Sequence, residues 1–187
     1  MRGKTHVLLA VAALLAAYIS IGASIVLSPW FSWERNALSD LGHSAKSVVA
    51  PIFNFGLLLT GVLILIYAVT IFRREAKYTS LCLAVSSFLL QLVAMFDEIY
   101  GYLHYVVSVL FFVSLGITLL VFAVEKRSIL AVILFFSAFT SWILYWFKAY
   151  TMGIAVPETI SAIVVTLWLL VTTFRMHLEE KSSSFYR

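Results

Sequence analysis

The sequence predicts an all-α polytopic membrane protein: a six-transmembrane-helix bundle with a short amphipathic outer-face segment between helices 1 and 2. An extreme apolar composition, six apolar runs of crossing length and a lopsided placement of Lys and Arg predict it. Of 187 residues, 63% are hydrophobic and 12% charged, whereas a soluble domain carries about 45–50% apolar and about 25% charged residues. Water cannot solvate such a chain, so the bilayer is its solvent. Each crossing takes about 20 apolar residues as a helix. Open sheets are excluded because hydrocarbon leaves backbone groups unpaired, and the alternation of an outer-membrane barrel is absent.

The runs cover roughly 6–27, 48–72, 78–96, 103–124, 128–147 and 159–176, in one integral-membrane domain over 1–187. The first follows a basic "MRGKTH" as a signal peptide would, but it exceeds the about 7–15 apolar residues of a signal core. It is read as a retained span. Ala12, Ala16, Ser20, Ser24 and Ser28 give it a stripe of small residues suited to close helix packing. That stripe serves a partner helix in the same chain or in a second protomer alike, so it says nothing about oligomeric state.

Orientation follows from the cations. With a cytoplasmic N-terminus the inner side holds Arg2, Lys4, Arg73, Arg74, Lys77, Lys126, Arg127, Arg175, Lys181 and Arg187, against Arg35, Lys46 and Lys148 outside. Such a bias puts both termini in the cytoplasm, and a plasma-membrane location is expected. Aromatic residues gather at the outer ends: Trp30, Phe31 and Trp33, then Tyr100, Tyr102 and Tyr105, then Trp142, Tyr145, Trp146 and Tyr150. Such rings prefer headgroup depth. The net charge of +4 comes from short clusters beside oily runs, so no nucleic-acid partner is expected and membrane lipid is. A single Cys82 excludes an intrachain disulfide and zinc-type Cys spacing.

The first external loop, 28–46, contains "ERNALSDLGHSAK" at 34–46. Ser28 followed by Pro29 reads as a helix start. A helix from there would carry Asn36, Asp40 and His43 on one face and Leu38, Leu41 and Ala45 on the other, with Gly42 ending it. That describes a short helix lying at the interface, apolar side down. The alternative is a solvated loop.

"NALSDLG" at 36–42, after a first span and a Trp-containing loop, resembles the signature of the family catalogued as domain of unknown function 998. Its members are small six-span membrane proteins of archaea and bacteria, distantly similar to the Frag1/DRAM/Sfk1 group. The resemblance implies the six-span fold and supplies no reaction. It marks Asn36, Ser39, Asp40 and Gly42 as the distinctive positions.

Polar residues within the spans crowd toward the outer ends. Asn54 and Gln91 lie about two turns in; "FDEIYGYLHY" brings Asp97, Glu98 and His104, with Ser108 a turn further. Ser137, Thr140, Ser141, Glu158 and Ser161 follow. Polar groups in hydrocarbon usually face the bundle interior or a water-filled cavity, so a pocket open to the outer leaflet is expected. A structural role for Asn54 and Gln91, as interhelical hydrogen bonds, is the competing reading.

The first functional reading is binding of a lipid headgroup or small polar ligand by Asn36, Ser39, Asp40, His43, Asn54, Gln91, Asp97, Glu98, His104 and Ser108. The second is a hydrolase at the outer interface. It would use zinc held by His43, His104, Asp40 and Asp97, with Glu98 available, or a serine route through Ser39 or Ser108 with His104. No HExxH motif or nucleophile elbow supports either. Transport comes third, because the prolines Pro29, Pro51 and Pro157 lie near outer helix ends and no acid or base sits mid-span. Haem is disfavoured, since the histidines lie near the two surfaces.

Overall fold

The computed structural model describes residues 2–185, with side chains described for 6–182. Of the basic residues named above, Arg187 and the side chains of Arg2 and Lys4 lie outside the described residues. Among the described residues the α-helices are α1 (Arg2–Val26), α2 (Ala50–Thr70), α3 (Lys77–Met95), α4 (Tyr102–Glu125), α5 (Ile129–Trp146) and α6 (Ala155–Phe185). Three short 3₁₀ helices, Leu38–Gly42, Phe72–Arg74 and Glu98–Tyr100, lie in the connections. Six helices are long and apolar enough to cross a membrane, and the protein is a multi-pass integral membrane protein. Helix α6 starts earlier than the expected 159 because Pro157 is tolerated in a first turn, where its missing N–H would have no partner anyway.

Each helix packs on its neighbours in the chain, and α6 closes the ring against α1. His6 of α1 lies 3.5 Å from Glu180 of α6, so both helix ends share one side, here the terminal end. The opposite side is the distal end. Arg73, Arg74, Lys77, Lys126, Arg127 and Arg175 belong to the terminal end; Arg35, Lys46 and Lys148 sit in distal loops.

Two apolar clusters fill the ring. Toward the terminal end, Tyr67, Phe72, Leu119, Phe122, Trp168 and Leu169 are buried together. Phe72 meets Trp168 at 5.6 Å and Phe122 at 6.1 Å between ring centroids. The Tyr67 hydroxyl donates to Thr173 Oγ1 at 2.7 Å, since the Thr173 hydrogen is already given to the Leu169 carbonyl. At the distal end Leu38, Leu41, Val49, Phe53, Leu57, Val93, Val107 and Ala155 form the second cluster.

The expected small-residue stripe is buried at Ser20, Ser24 and Ser28 and half-buried at Ala16, whereas Ala12 is exposed and the contact face there has moved to Ala10 and Ala13. A repeat of four drifts by about 40° per step around a helix of 3.6 residues per turn, so its far end leaves the contact face.

The expected helix over 28–46 is also absent as such: residues 28–37 form turns, and the 3₁₀ helix spans only Leu38–Gly42. Two features divert the backbone. Asn36 Oδ1 accepts from Ser32 N at 2.9 Å and Asp40 Oδ2 from Ala37 N at 3.0 Å, the side-chain bonding that competes with a helix. The carbonyls of Trp33 and Asn36 instead accept from Gly153 N at 2.8 Å and Ala155 N at 3.1 Å. Gly153 permits this approach, because a Cβ there would stand 2.9 Å from the Asn36 carbonyl oxygen. Leu38 and Leu41 are buried in the distal cluster, so the loop is stitched into the bundle.

Candidate functional site

The distal connections bring a set of polar side chains together. Ser39 Oγ donates to Glu98 Oε1 at 2.7 Å, and the same oxygen lies 3.4 Å from His104 Nε2. His104, 5% exposed, places Nδ1 2.7 Å from the Phe96 carbonyl. A carbonyl only accepts, so Nδ1 carries the hydrogen and Nε2 is left to accept from Ser108 Oγ at 3.2 Å. One path thus runs from the 38–42 turn through the α3–α4 connection into α4.

Beside it, Asn36 Nδ2 donates to Asp40 Oδ2 at 2.8 Å, which holds the turn in shape. Asn54 Nδ2 donates to the Gly42 carbonyl at 2.8 Å, tying the turn to α2. Gly42 is needed there: a Cβ would stand 2.5 Å from Asn54 Oδ1 and 2.9 Å from Phe53 Cδ1. Asp97 Oδ1 accepts from Ile99 N at 2.8 Å, an N-cap for the short helix Glu98–Tyr100.

Two expected members stand apart. His43 Nδ1 accepts from Ala45 N at 3.3 Å within its own turn. Gln91 Nε2 donates to the Ser87 carbonyl of its own helix at 3.2 Å, with its stem against Gly61 of α2. Among the described residues no group of three or more His, Cys, Asp or Glu stands close enough to hold a metal ion.

Glu158 was expected among the polar residues of the outer ends but not in the ligand-binding set. Its Oε2 accepts from Leu38 N at 2.7 Å, and the residue is 8% exposed. A carboxyl group at the mouth of an otherwise apolar run was the available signal. Nothing in the spacing showed that its partner would be a backbone amide in a distant loop.

The hollow next to this cluster lies between α4, α5 and α6. It measures about 510 Å³ and its polar lining is Ser108, Glu158 and Ser161. Its walls are Phe112, Leu115, Gly116, Phe135, Phe139 and Val165, with Trp142 and Trp146 at the distal end. From Ser108 to Leu119 it follows α4 for about 16 Å at 1.5 Å per residue. Trp142 Nε1 donates to Ser161 Oγ at 2.9 Å. Of the residues expected from the sequence, Ser108 lines it; the others form the adjoining scaffold or lie elsewhere. Tyr150, in the α5–α6 connection, donates to the Ser141 carbonyl at 3.4 Å, and burial pushes its phenol above the ordinary value.

Residues 11–175 match the family described as "Protein of unknown function (DUF998)". The chain belongs to the DUF998 family. The match runs from α1 to the Arg175 turn of α6, so in this DUF998 member it takes in both the distal cluster and the hollow. No curated protein and no solved structure matches the chain.

Proposed function

We propose that this DUF998 protein binds one amphipathic lipid, its acyl chain in the groove between α4 and α5 and its polar head at Ser108, Glu158 and Ser161. One observation carries the reading: an apolar groove of about 510 Å³ has its hydrogen-bonding groups confined to one end. A lipid has the same division of chemistry, and such pockets combine apolar walls with few placed polar groups. The scaffold of Asn36, Ser39, Asp40, Asn54, Asp97, Glu98 and His104 then holds the groove's polar end in position. The packed rings of Tyr67, Phe72, Phe122 and Trp168 toward the terminal end favour binding over passage through the bundle. The distant likeness to the Frag1/DRAM/Sfk1 group points the same way by analogy alone.

Filling the groove tests this. Gly116→Phe is expected to reduce lipid retained through detergent purification, read by native mass spectrometry, about tenfold, with the fold kept. Equal lipid content in both proteins would overturn the reading.

The positive-inside bias supports a distal end facing outward, with the 38–42 turn as an outer-face segment and both termini in the cytoplasm. In a Cys82→Ser background, Ser44→Cys should react with an impermeant thiol reagent in intact cells and Arg74→Cys should not. The reverse pattern inverts the topology.

A second reading rests on Ser108 Oγ at 3.2 Å from His104 Nε2. Ser108 would attack a lipid ester carbonyl and pass its proton to His104, whose new Nε2–H faces Glu98 Oε1 at 3.4 Å. His104 would return that proton to the leaving alcohol; water, deprotonated by His104, would then attack the acyl carbon, and His104 would give the proton to Ser108 Oγ as the acid leaves. A fluorophosphonate probe should label wild type and not Ser108→Ala or His104→Ala; no labelling of wild type rejects this route. A zinc-dependent version would call on His43, His104, Asp40 and Asp97, which do not stand together among the described residues; metal content of the purified protein tests it.

A further inference from the structure

A second hollow lies at the terminal end, its lining at Phe122 and Trp168 one helical turn from that of the lipid groove at Leu119 and Val165. It measures about 320 Å³ and is bordered by Arg127, Ser128, Arg175 and Trp168. Three features make it a place for negative charge. Lys126 is paired with Glu75, but Arg127 and Arg175 form no ion pair among the described residues. The first turn of α5 borders the hollow at Ile129 and Leu130, where a helix leaves its N–H groups without intrahelical acceptors and its dipole is positive. Ser128 Oγ accepts from Ala131 N at 3.3 Å, leaving the two amides before it uncapped. Trp168 is 1% exposed, and its buried Nε1–H has no acceptor. Its ring, and not this atom, borders the hollow, since Nε1 has almost no accessible surface.

Arg127 takes up its position at φ +49°, in the left-handed region, where a non-glycine residue is uncommon. Glu179 also borders the hollow. It opposes an anion but leaves a positive balance, because Glu75 is neutralised by Lys126.

We propose that this hollow is a binding site for a phosphate group, carried by an anionic phospholipid or free in solution. Arg127, Arg175 and the α5 N-terminus hold the phosphate oxygens. Basic hollows between membrane helices at headgroup depth suit such groups.

The test compares thermal stabilisation of the full chain in detergent by three probes: phosphatidic acid, diacylglycerol of the same chains, and inorganic phosphate. Phosphatidic acid should stabilise more than diacylglycerol, whose own stabilisation through the lipid groove should be the same in the arginine variants. Stabilisation by inorganic phosphate to the same extent identifies free phosphate as the source; its failure beside phosphatidic acid identifies the lipid. Arg127→Gln and Arg175→Gln should each weaken the apparent affinity about tenfold, while Arg35→Gln at the distal end leaves it unchanged. No response to either phosphate probe, or an equal response in the arginine variants, overturns the proposal.

Discussion

Phe72→Ala is expected to destabilise the protein by about 3–5 kcal/mol, the range for truncating a fully buried phenylalanine. Phe72 is 0% exposed at the turn between α2 and α3, and its ring meets Tyr67, Phe122 and Trp168. Lipid cannot refill the space, because these rings close it from several helices at once, so the cavity persists. Hydrocarbon tails provide little hydrophobic drive between helices, and the loss falls on packing contacts. Thermal unfolding in a mild detergent measures it. A midpoint within error of wild type would mean the rings do not form the buried stack described.

Glu158→Ala is expected to loosen the 28–49 loop and cost about 1–3 kcal/mol, the penalty for a buried donor left without an acceptor. The donor is the Leu38 amide, 2.7 Å from Glu158 Oε2, in a residue 8% exposed. Glu158→Gln keeps an oxygen that accepts this bond, so its stability should stay near that of wild type. Limited proteolysis separates the two: the alanine variant should be cut within 28–49 faster than the glutamine variant. Equal cutting would show that Glu158 does not hold the loop.

The spans were legible because each is a long apolar run, a signal independent of contacts between distant residues. Their ends were less so. Pro157 looked like a boundary, yet α6 begins at Ala155, since proline disrupts a helix interior and not its first turn. The 28–46 loop misled for a different reason. Its apolar and polar residues do alternate at helical spacing, but Asn36 and Asp40 bond the local backbone and Gly153 and Ala155 take the carbonyls a helix would use. That competition involves a loop more than a hundred residues away, which periodicity cannot register.

The polar cluster was legible in part. Ser39, Glu98, His104 and Ser108 do meet, as their crowding near one set of helix ends suggested. Gln91 and His43 turn to backbone groups nearby, because a side chain with a local acceptor or donor need not reach a shared pocket. The hollow opens on α4, α5 and α6, away from Asn54 and Gln91. Its walls are apolar residues indistinguishable in sequence from lipid-facing ones, so a reading that followed polar residues alone led past it.

An experimental density map of the protein in a lipid nanodisc tests the central claim most directly. The account predicts an elongated density between α4 and α5, running along Phe112, Gly116 and Phe139 with its head beside Ser108 and Ser161. Helices α4 and α5 closed against each other along that length, with no occupant between them, would contradict it.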